Sequence, residues 1–310
     1  MQLANILKKF GIPLLSLAVF VGFLWILKQE LQEYSYQDII DGIQDIGTDK
    51  VRLATLLTIV GYGVIAQYDR IAFAAAGYSL SNSIILTTTF LSYAICNSLG
   101  FMLVIGGGIR YYFYRRYGVP KEVIAIAIAF SNLNFWLGLF ALGGIVFVLN
   151  PLTIPPILNS QFVTVRPLGY IFLAIIAVYL CLSFQQRTIS FRGQRFALPK
   201  LRISLAQIGV SAVDWAIASG VLFLLLPAQN ELDYGSFFGI YLLAIAAKVI
   251  SNVPGGLGVF EATIIAFMPS EVTSASVASL LVYRGVYLLL PLLIALILFG
   301  IFKLKLSLER

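Results

Sequence analysis

Three ionisable residues lie in otherwise apolar stretches of the C-terminal part of this sequence. Lys248 and Glu261 flank a glycine-rich interruption, and Arg284 follows in the next apolar run. Charged side chains in such surroundings are costly to bury, and in membrane proteins they usually mark a functional site. Arg284 needs a carboxylate or carbonyl partner, and Glu261 and Asp214 are the candidates. Such residues could bind an anionic group, a cationic group or a proton.

The interruption, SNVPGGLGVFEA at 251–262, is the predicted centre of the site. Proline removes a backbone donor and each glycine costs about 1 kcal/mol of helix propensity, so a helix break is expected here. The helix that follows begins with free N–H groups and a partial positive charge, which suit a phosphate. Glu261 either satisfies these N–H groups, contacts a substrate amine or carries a proton. The predicted cavity residues of this half are Asp214, Lys248, Asn252, Gly255, Gly256, Glu261 and Arg284.

A second interruption, ICNSLG at 95–100, precedes the basic and aromatic segment GGGIRYYFYRRYG at 106–118. Its glycines permit close approach of the backbone, and arginine binds phosphate in a bidentate manner. Alternatively, its basic residues only set the orientation of the chain in a membrane. Upstream, YDR at 68–70 is either part of the cavity or a charge pair at the membrane edge. The candidates of this half are Asp69, Arg70, Asn97 and Arg110, with Arg115 and Arg116 as a cytoplasmic basic rim.

Several kinds of chemistry are disfavoured by the composition. The sequence contains no histidine, and Cys96 and Cys181 lie in separate apolar runs. We interpret both cysteines as small buried hydrophobic residues, not as a disulfide or a metal site. The GGGIR segment lacks the Gly-Lys-Ser/Thr ending of an ATP-binding loop. No metal, no cofactor and no nucleic-acid partner is therefore predicted.

The elements that must position these residues are membrane-spanning helices. Of the 310 residues, 60% are hydrophobic and only 11% are charged, which is typical of an integral membrane protein. A helix needs about 20 apolar residues to cross the bilayer. The first run resembles a signal peptide but lacks a cleavage site, so it is predicted to be retained. The apolar runs are 11–27, 53–68, 71–104, 123–149, 168–184, 203–226, 236–268 and 275–302.

The distribution of basic residues argues against eight simple crossings. Such crossings would put the basic segments 105–122 and 185–202 outside the cell, against the positive-inside rule. The conflict disappears if the runs around the two interruptions each dip into the membrane and return to the side from which they came. Both termini are then cytoplasmic, with 15 of the 21 basic residues on that side, 4 outside and Lys248 and Arg284 within the membrane.

The two halves of the chain follow the same plan. ICNSLG at 95–100 and ISNVPG at 250–255 share three of six residues at an offset of 155. Each half then contains two spans, a re-entrant hairpin and a further span, and the three crossings invert the second half relative to the first. We expect a single domain, 1–310, with pseudo-repeat halves of about 1–150 and 151–310. The predicted fold is an all-α polytopic membrane protein with about six full spans and two re-entrant helical hairpins.

The motifs together resemble a known family. They are YDR at 68–70, NSLGFxxxxGGGIRYYFY at 97–114, VPGGLGVFEA at 253–262 and YRGVYLLLP at 283–291. They are similar to the transmembrane flippase domain of the lysylphosphatidylglycerol synthases, the multiple peptide resistance factor family. The resemblance covers nearly the whole chain, without the soluble synthase domain, so a stand-alone member is expected.

The resemblance implies translocation of an anionic or aminoacylated phospholipid, such as lysylphosphatidylglycerol, across the bacterial inner membrane. By match to the motifs, it implies that Asp69, Arg70, Arg110, Glu261 and Arg284 are cavity residues. Two alternatives remain: an intramembrane transferase acting on lipid headgroups, with Asp214 or Glu261 as base, and a non-transporting partner subunit of a lipid-modifying enzyme. A transporter is favoured over an enzyme because His and a metal cluster are missing. A homo-oligomer and a complex with a lipid-synthesising enzyme both remain open.

Overall fold

The described part of the protein consists almost entirely of helices. A computed structural model describes residues 36–100, 102–154, 163–186, 188–191, 194–197, 199–227, 232–251, 256, 258–268 and 274–308. The helices are α1 (Tyr36–Ile46), α2 (Thr48–Ala75), α3 (Asn82–Leu99), α4 (Gly107–Arg116), α5 (Lys121–Leu149), α6 (Arg166–Phe184), α7 (Leu201–Leu225), α8 (Tyr234–Ile250), α9 (Val259–Phe267), α10 (Ser274–Tyr283) and α11 (Leu290–Leu308). Two π-helical turns, π1 (Met102–Gly106) and π2 (Arg284–Leu289), join α3 to α4 and α10 to α11.

Five of the described helical segments are long and apolar enough to cross a membrane. They are α2, α5, α6, α7 and the continuous segment Ser274–Leu304. Each coincides with an apolar run that the sequence predicted as a full span. The run at 11–27 lies outside the described residues. The prediction of an all-α polytopic membrane protein is thereby confirmed.

A short β-hairpin lies in the polar connection between α6 and α7. Strands β1 (Thr188–Phe191) and β2 (Gln194–Ala197) pair antiparallel, with Thr188 opposite Ala197. The sequence predicted only a basic connection here.

Cys181, near the end of α6, is exposed, so the expectation that both cysteines are buried is wrong for Cys181 and right for Cys96. The reason is that the apolar face of α6 carrying Cys181 is not covered by another described helix.

The first interruption makes a helical hairpin. Helix α3 ends at Leu99, and Gly100 has a φ of 80°, a left-handed conformation that favours glycine. The chain then returns along α3 through π1 and α4, and the Ser92 hydroxyl donates to the Gly106 carbonyl at 3.0 Å. A Cβ at Gly106 would lie 2.9 Å from Cys96 Sγ, so only glycine allows the two arms to approach this closely.

The second interruption makes a corresponding hairpin from α8 and α9. Asp233 caps the start of α8 by accepting from the N–H groups of Gly235 and Ser236. Hydrogen bonds from the Ser236 hydroxyl and backbone hold the pKa of Asp233 below its usual value. The arms pack through the rings of Tyr241 and Phe260, whose centroids are 5.5 Å apart. Gly258, just before α9, has a φ of 76°.

Contacts between helix ends show that the two hairpins have their open ends on different sides of the helix bundle. Lys50 Nζ at the start of α2 donates to the Leu226 carbonyl after α7, and Asn150 after α5 lies beside Gly235 at the start of α8. On the other side, the Arg116 guanidinium at the end of α4 lies over the Phe302 ring of α11. Gly100 and Gly256, at the two hairpin tips, line one common cavity, so the tips lie close to each other.

Close packing between α5 and α7 holds the bundle together next to these tips. A Cβ at Gly138 of α5 would lie 2.5 Å from the Cβ of Ser211 and 2.6 Å from the Trp215 ring, both on α7. Small residues permit such close approach between helices in membranes. The Trp215 indole N–H also donates to the Phe135 carbonyl at 3.3 Å. This junction fixes the face of α7 that carries Asp214.

Candidate functional site

A cavity of about 390 Å³ lies between the tips of the two hairpins. Gly100 at the first tip and Gly256 at the second both line it. The wall combines charged, amide and aromatic side chains with apolar ones. Of the residues predicted as cavity residues, those that line it are Asn97, Asp214, Lys248, Gly256, Glu261 and Arg284.

An ion pair between Glu261 and Arg284 forms part of the cavity wall. Arg284 Nε donates to Glu261 Oε1 at 2.6 Å, and Nη2 contacts Oε2. The Gly258 backbone N–H also donates to Oε2 at 3.1 Å, because Glu261 lies in the first turn of α9. Of the two carboxylates considered as partners of Arg284, Glu261 is the one that pairs with it. The helix-start interpretation of Glu261 therefore applies, and the same residue also lines the cavity.

Arg284 occupies an irregular position within its helix. It begins π2, where the Leu290 N–H bonds to the Gly285 carbonyl five residues earlier in place of the usual four. Such π-helical turns inside α-helices are rare and occur frequently at functional sites. The sequence carried no clear signal for this turn, because YRGVYLLLP is compatible with a continuous apolar helix.

Lys248 supplies a second positive charge in the same wall. It lies in the last turn of α8, and its aliphatic chain crosses directly over Gly256. Gly256 has a φ of 66°, and any Cβ there would overlap the Lys248 side chain. Glycine at position 256 is therefore needed both for its backbone conformation and because a side chain there would occupy the space of the Lys248 side chain.

Asp214 contributes a carboxylate from α7. Its Oδ2 accepts a hydrogen bond of 2.8 Å from the Tyr68 hydroxyl. Its Oδ1 is buried and has no hydrogen-bond partner in the part of the chain that the structure describes. The residue is 8% exposed and lines the cavity. This carboxylate thus retains acceptor capacity that a substrate or a proton could use.

Aromatic residues that the sequence analysis did not select make up much of the remaining wall. The hydroxyls of Tyr241 and Tyr283 lie 2.8 Å apart, and the rings of Tyr283 and Tyr287 stack with centroids 5.2 Å apart. Phe260 stacks on the other face of Tyr283 at 6.0 Å. The spacing of Tyr283 and Tyr287, four residues apart beside Arg284, places both on one helix face and could have identified them.

One edge of the cavity is apolar and open. Leu103 and Val104 line it, yet they are 67% and 73% exposed. Both belong to π1, directly after the first hairpin tip. The cavity is therefore continuous at this edge with an exposed apolar surface.

Asp69 and Arg110 form a second ion pair, which does not line the cavity. Arg110 Nε donates to the two Asp69 oxygens at 2.9 and 3.2 Å, and both residues are almost completely buried. The prediction that they face the cavity is therefore wrong. The pair is enclosed among α2, α3, α4 and α5, because hydroxyl groups from α3, α4 and α5 also donate to the Asp69 carboxylate. The donors are Thr89 at 3.1 Å, Tyr114 at 2.6 Å and Ser131 at 2.7 Å.

Three further predicted residues lie at the surface or outside the cavity. Arg70 is exposed and donates to Gln67, because it follows Asp69 by one residue and so points to another side of α2. Its assignment to the cavity is corrected. Arg115 and Arg116 are exposed at the end of α4, as a basic rim requires. Asn252 and Gly255 lie outside the described residues.

The described residues contain no cluster of three or more His, Cys, Asp or Glu side chains arranged to hold a metal. The chemistry of the cavity therefore rests on one carboxylate with spare acceptor capacity, one ion pair, a lysine and tyrosine hydroxyls. This set can bind a phosphate, an amine or a proton.

Comparison with known proteins identifies the family. The model of the lysylphosphatidylglycerol synthase transmembrane region matches residues 13–295, which includes both hairpins and every cavity residue named above. The chain belongs to this family. The resemblance inferred from the YDR, GGGIRYYFY, VPGGLGVFEA and YRGVYLLLP motifs is thereby confirmed.

Relatives of this family member fall into two groups. An uncharacterized protein of Synechocystis, slr0712, is 40% identical over 301 residues, covering 96% of this chain and 93% of the relative. The inner membrane protein YbhN of Escherichia coli is 32% identical over 289 residues, covering 92% and 90%. The phosphatidylglycerol lysyltransferase of Bacillus subtilis is 24% identical over 301 residues, covering 94% of this chain but 34% of that protein.

Proposed function

We propose that this protein translocates a phospholipid, anionic or aminoacylated, between the two leaflets of the membrane. The observation that carries the proposal is a headgroup-sized cavity between two hairpin tips, with charged and tyrosine side chains in its wall, that opens onto an exposed apolar surface at Leu103 and Val104. A lipid could place its headgroup in the cavity while its acyl chains remain in hydrocarbon. The relationship to phosphatidylglycerol lysyltransferases supports a lipid-related role.

The cavity offers complementary groups for such a headgroup. Lys248 supplies a positive charge for the phosphate, next to the amino end of α9, whose N–H groups and dipole favour an anion. Asp214 offers the unpaired Oδ1 to an ammonium group, as in an aminoacylated lipid. The tyrosine hydroxyls can bind glycerol hydroxyls. The Glu261–Arg284 ion pair connects the second hairpin to the last span, so a movement of one of these elements would be transmitted to the other.

Transport would proceed by alternating access. We propose that both hairpins are re-entrant, that they enter from opposite leaflets, and that the two halves form an inverted repeat. The opposite placement of the hairpins' open ends supports this arrangement. Rocking of one half against the other would then expose the cavity to each leaflet in turn.

The proposed location is the inner membrane, with both termini in the cytoplasm. The relationship to the inner membrane protein YbhN supports this location. Cysteine labelling tests the orientation, in a Cys181→Ser background because that cysteine is exposed. Tyr117→Cys, 45% exposed after α4, should react only from the cytoplasmic side, and Asp49→Cys, at the start of α2, only from outside. Reversed reactivity of the two positions contradicts the orientation.

Reconstitution tests the function itself. Purified protein in phosphatidylcholine vesicles containing fluorescent phosphatidylglycerol or lysylphosphatidylglycerol should make the label in the inner leaflet accessible to an external quencher. Protein-free vesicles and vesicles with the exposed-residue variant Arg70→Ala serve as negative and positive controls. Failure to move either lipid contradicts the proposal. Conversion of the headgroup to a new product would instead support the transferase hypothesis, with Asp214 as the available base.

A further inference from the structure

A row of polar side chains runs along one face of α7 and ends at Asp214. Its members are Ser204, Gln207, Ser211 and Asp214, spaced at i, i+3, i+7 and i+10, and all are buried. This spacing places the four side chains on one side of a helix. Polar groups within a span are costly unless they have partners, so a buried polar row in an apolar helix requires a reason.

The row is connected to α5 and α6 by hydrogen bonds. Ser204 Oγ donates to Ser183 Oγ at 2.9 Å, and the Tyr179 hydroxyl donates to Gln207 Oε1 at 2.7 Å. Gln207 Nε2 in turn donates to Asn134 Oδ1 at 2.8 Å. The chain of contacts therefore begins near the start of α7, at the β-hairpin, and leads inward.

Two buried polar atoms along this row, Asn134 Nδ2 and Asp214 Oδ1, have no hydrogen-bond partner in the described part of the chain. Ser211, between them, lies next to the Tyr68 hydroxyl that donates to Asp214. Buried polar atoms are nearly always satisfied by protein or water, so their accumulation here indicates a row that water or a proton can enter. From Ser204 to Asp214 the helix rises about 15 Å, roughly half the hydrocarbon core of a bilayer.

We propose that this polar row is a proton path to Asp214 and that Asp214 couples lipid translocation to a proton gradient. The inference rests on the proposed lipid transport and adds its energy source. Protons would enter at the start of α7, pass Gln207 and Ser211, and reach the carboxylate that faces the lipid cavity.

The transfer is simple to balance. The ionised Asp214 accepts one proton on Oδ1 and becomes a neutral carboxylic acid, while the Tyr68 hydroxyl keeps its own proton and its bond to Oδ2. After the cavity opens to the other side, the same proton leaves and the carboxylate is restored. No covalent bond between heavy atoms forms or breaks.

The direction of coupling follows from charge. A carboxylate and a lipid phosphate in one cavity repel each other, so binding of an anionic lipid favours protonation of Asp214. Proton and anionic lipid should therefore move together in the same direction. The other titratable groups that face Asp214 or share its cavity are tyrosines, one cysteine and the three charged residues of the second half: Tyr62, Tyr68, Tyr93, Tyr241, Tyr283, Tyr287, Cys96, Lys248, Glu261 and Arg284.

Vesicles with a pH difference test the coupling. Vesicles of phosphatidylcholine with fluorescent phosphatidylglycerol receive a gradient of one pH unit, with the membrane potential clamped, and internal pyranine reports proton movement. If one proton moves with each lipid, labelled lipid should accumulate in the leaflet on the alkaline side until it is about tenfold more abundant there than in the other leaflet, since one pH unit is a tenfold difference in proton concentration. The pyranine signal should appear at the same rate as this redistribution of the label.

Two variants locate the coupling. Asp214→Asn should abolish both the asymmetry and the pyranine signal. Gln207→Leu, which has a similar volume and lies outside the cavity, should abolish both signals while lipid exchange at equal pH continues. Asp49→Asn removes an exposed carboxylate and should leave both signals unchanged. Correct folding of each variant is checked by size-exclusion chromatography.

The possible failures are distinct. If wild-type protein exchanges lipid but builds no asymmetry, proton coupling is wrong and lipid transport stands. Asymmetry toward the acidic side, or full asymmetry in Asp214→Asn, also overturns the coupling, and full asymmetry in Gln207→Leu overturns the proton path. If wild-type protein exchanges no lipid at any pH, the proposed function fails and the coupling fails with it.

Discussion

The two halves of the molecule each contain a buried ion pair at a helical hairpin, but the surroundings of the pairs differ. Asp69 and Arg110 are enclosed, and three hydroxyls complete the coordination of the carboxylate. Glu261 and Arg284 form a pair of similar geometry that faces a cavity. The first arrangement fixes one hairpin to α2, whereas the second connects the other hairpin to the last span beside a space that a substrate can enter.

This difference shows that a charged residue in a span is not by itself evidence for a binding site. A buried pair in a closed environment, with every carboxylate oxygen hydrogen-bonded, holds helices together and offers no site to a ligand. A pair at a cavity wall can also interact with a ligand. We therefore expect changes in the first pair to act on stability and changes in the second to act mainly on transport.

The largest effect is expected for Asp69→Asn. Loss of the charge leaves Arg110 buried without its counter-ion, and removal of one partner from a buried pair costs about 3–5 kcal/mol. The free energy of unfolding, measured in mixed micelles, should fall accordingly, and expression should drop. Arg70→Ala, one residue further at the exposed surface, should change it by no more than about 0.5 kcal/mol. Equal effects of the two changes would contradict an enclosed pair.

Glu261→Gln should have a smaller effect on stability and a larger one on transport. Hydrogen bonds to charged groups contribute about 1.5–3 kcal/mol, and access to the cavity moderates the loss of folding stability. Lipid transport should fall by about tenfold or more, because a loss of about 1.5–3 kcal/mol in this interaction corresponds to at least a tenfold change in an equilibrium constant. Transport is measured by the quenching of labelled lipid at matched protein content. Transport at the wild-type rate in Glu261→Gln would contradict the expectation that this ion pair, unlike Asp69–Arg110, acts mainly on transport.

Double replacements sharpen the comparison. Glu261→Leu with Arg284→Met should recover most of the stability lost in Glu261→Gln, because apolar replacement of a buried pair is often neutral or stabilising. Asp69→Leu with Arg110→Met should not recover stability, since Thr89, Tyr114 and Ser131 lose their common acceptor. Unfolding in mixed micelles measures both. Recovery in the Asp69–Arg110 double variant would show that the hydroxyls contribute nothing.

Gly100→Ala should destabilise the first hairpin tip by about 1–3 kcal/mol, because its backbone lies in a region essentially restricted to glycine. The thermal stability of the detergent-solubilised protein provides the measurement. Gly77→Ala serves as the matched control: Gly77 also has a positive φ, of 65°, and its Cβ would meet no neighbouring atom, but it lies away from the cavity. Transport should fall further in Gly100→Ala than in the control.

The smallest effect is expected for Lys248→Met. A single positive charge attracts anionic lipid by about 1 kcal/mol, so the affinity for phosphatidylglycerol should fall about fivefold. Binding is measured by native mass spectrometry or by competition with a labelled lipid, with phosphatidylethanolamine for comparison. Lys121→Met, exposed at the start of α5, is the control. An equal loss of affinity in both variants would assign the effect to net charge and not to the cavity.

The sequence alone was sufficient to predict the membrane class, five described spans and both helix interruptions. Apolar run length, glycine and proline are local signals, and the bilayer forces the backbone between interruptions to be helical because it offers no other partner for N–H and C=O groups. The partner of Arg284 was narrowed to two carboxylates. The motifs were also specific enough to indicate the family.

Tertiary structure decided which charged residues meet and which face open space. Asp69 and Arg110 carry the same kind of local signal as Glu261 and Arg284, yet only the latter pair reaches the cavity. Nothing in the sequence distinguishes them, because enclosure depends on hydroxyls and helices that are distant along the chain. The π-helical turn at Arg284, the tyrosine wall and the polar row on α7 likewise arise from packing between helices, which apolar periodicity does not encode.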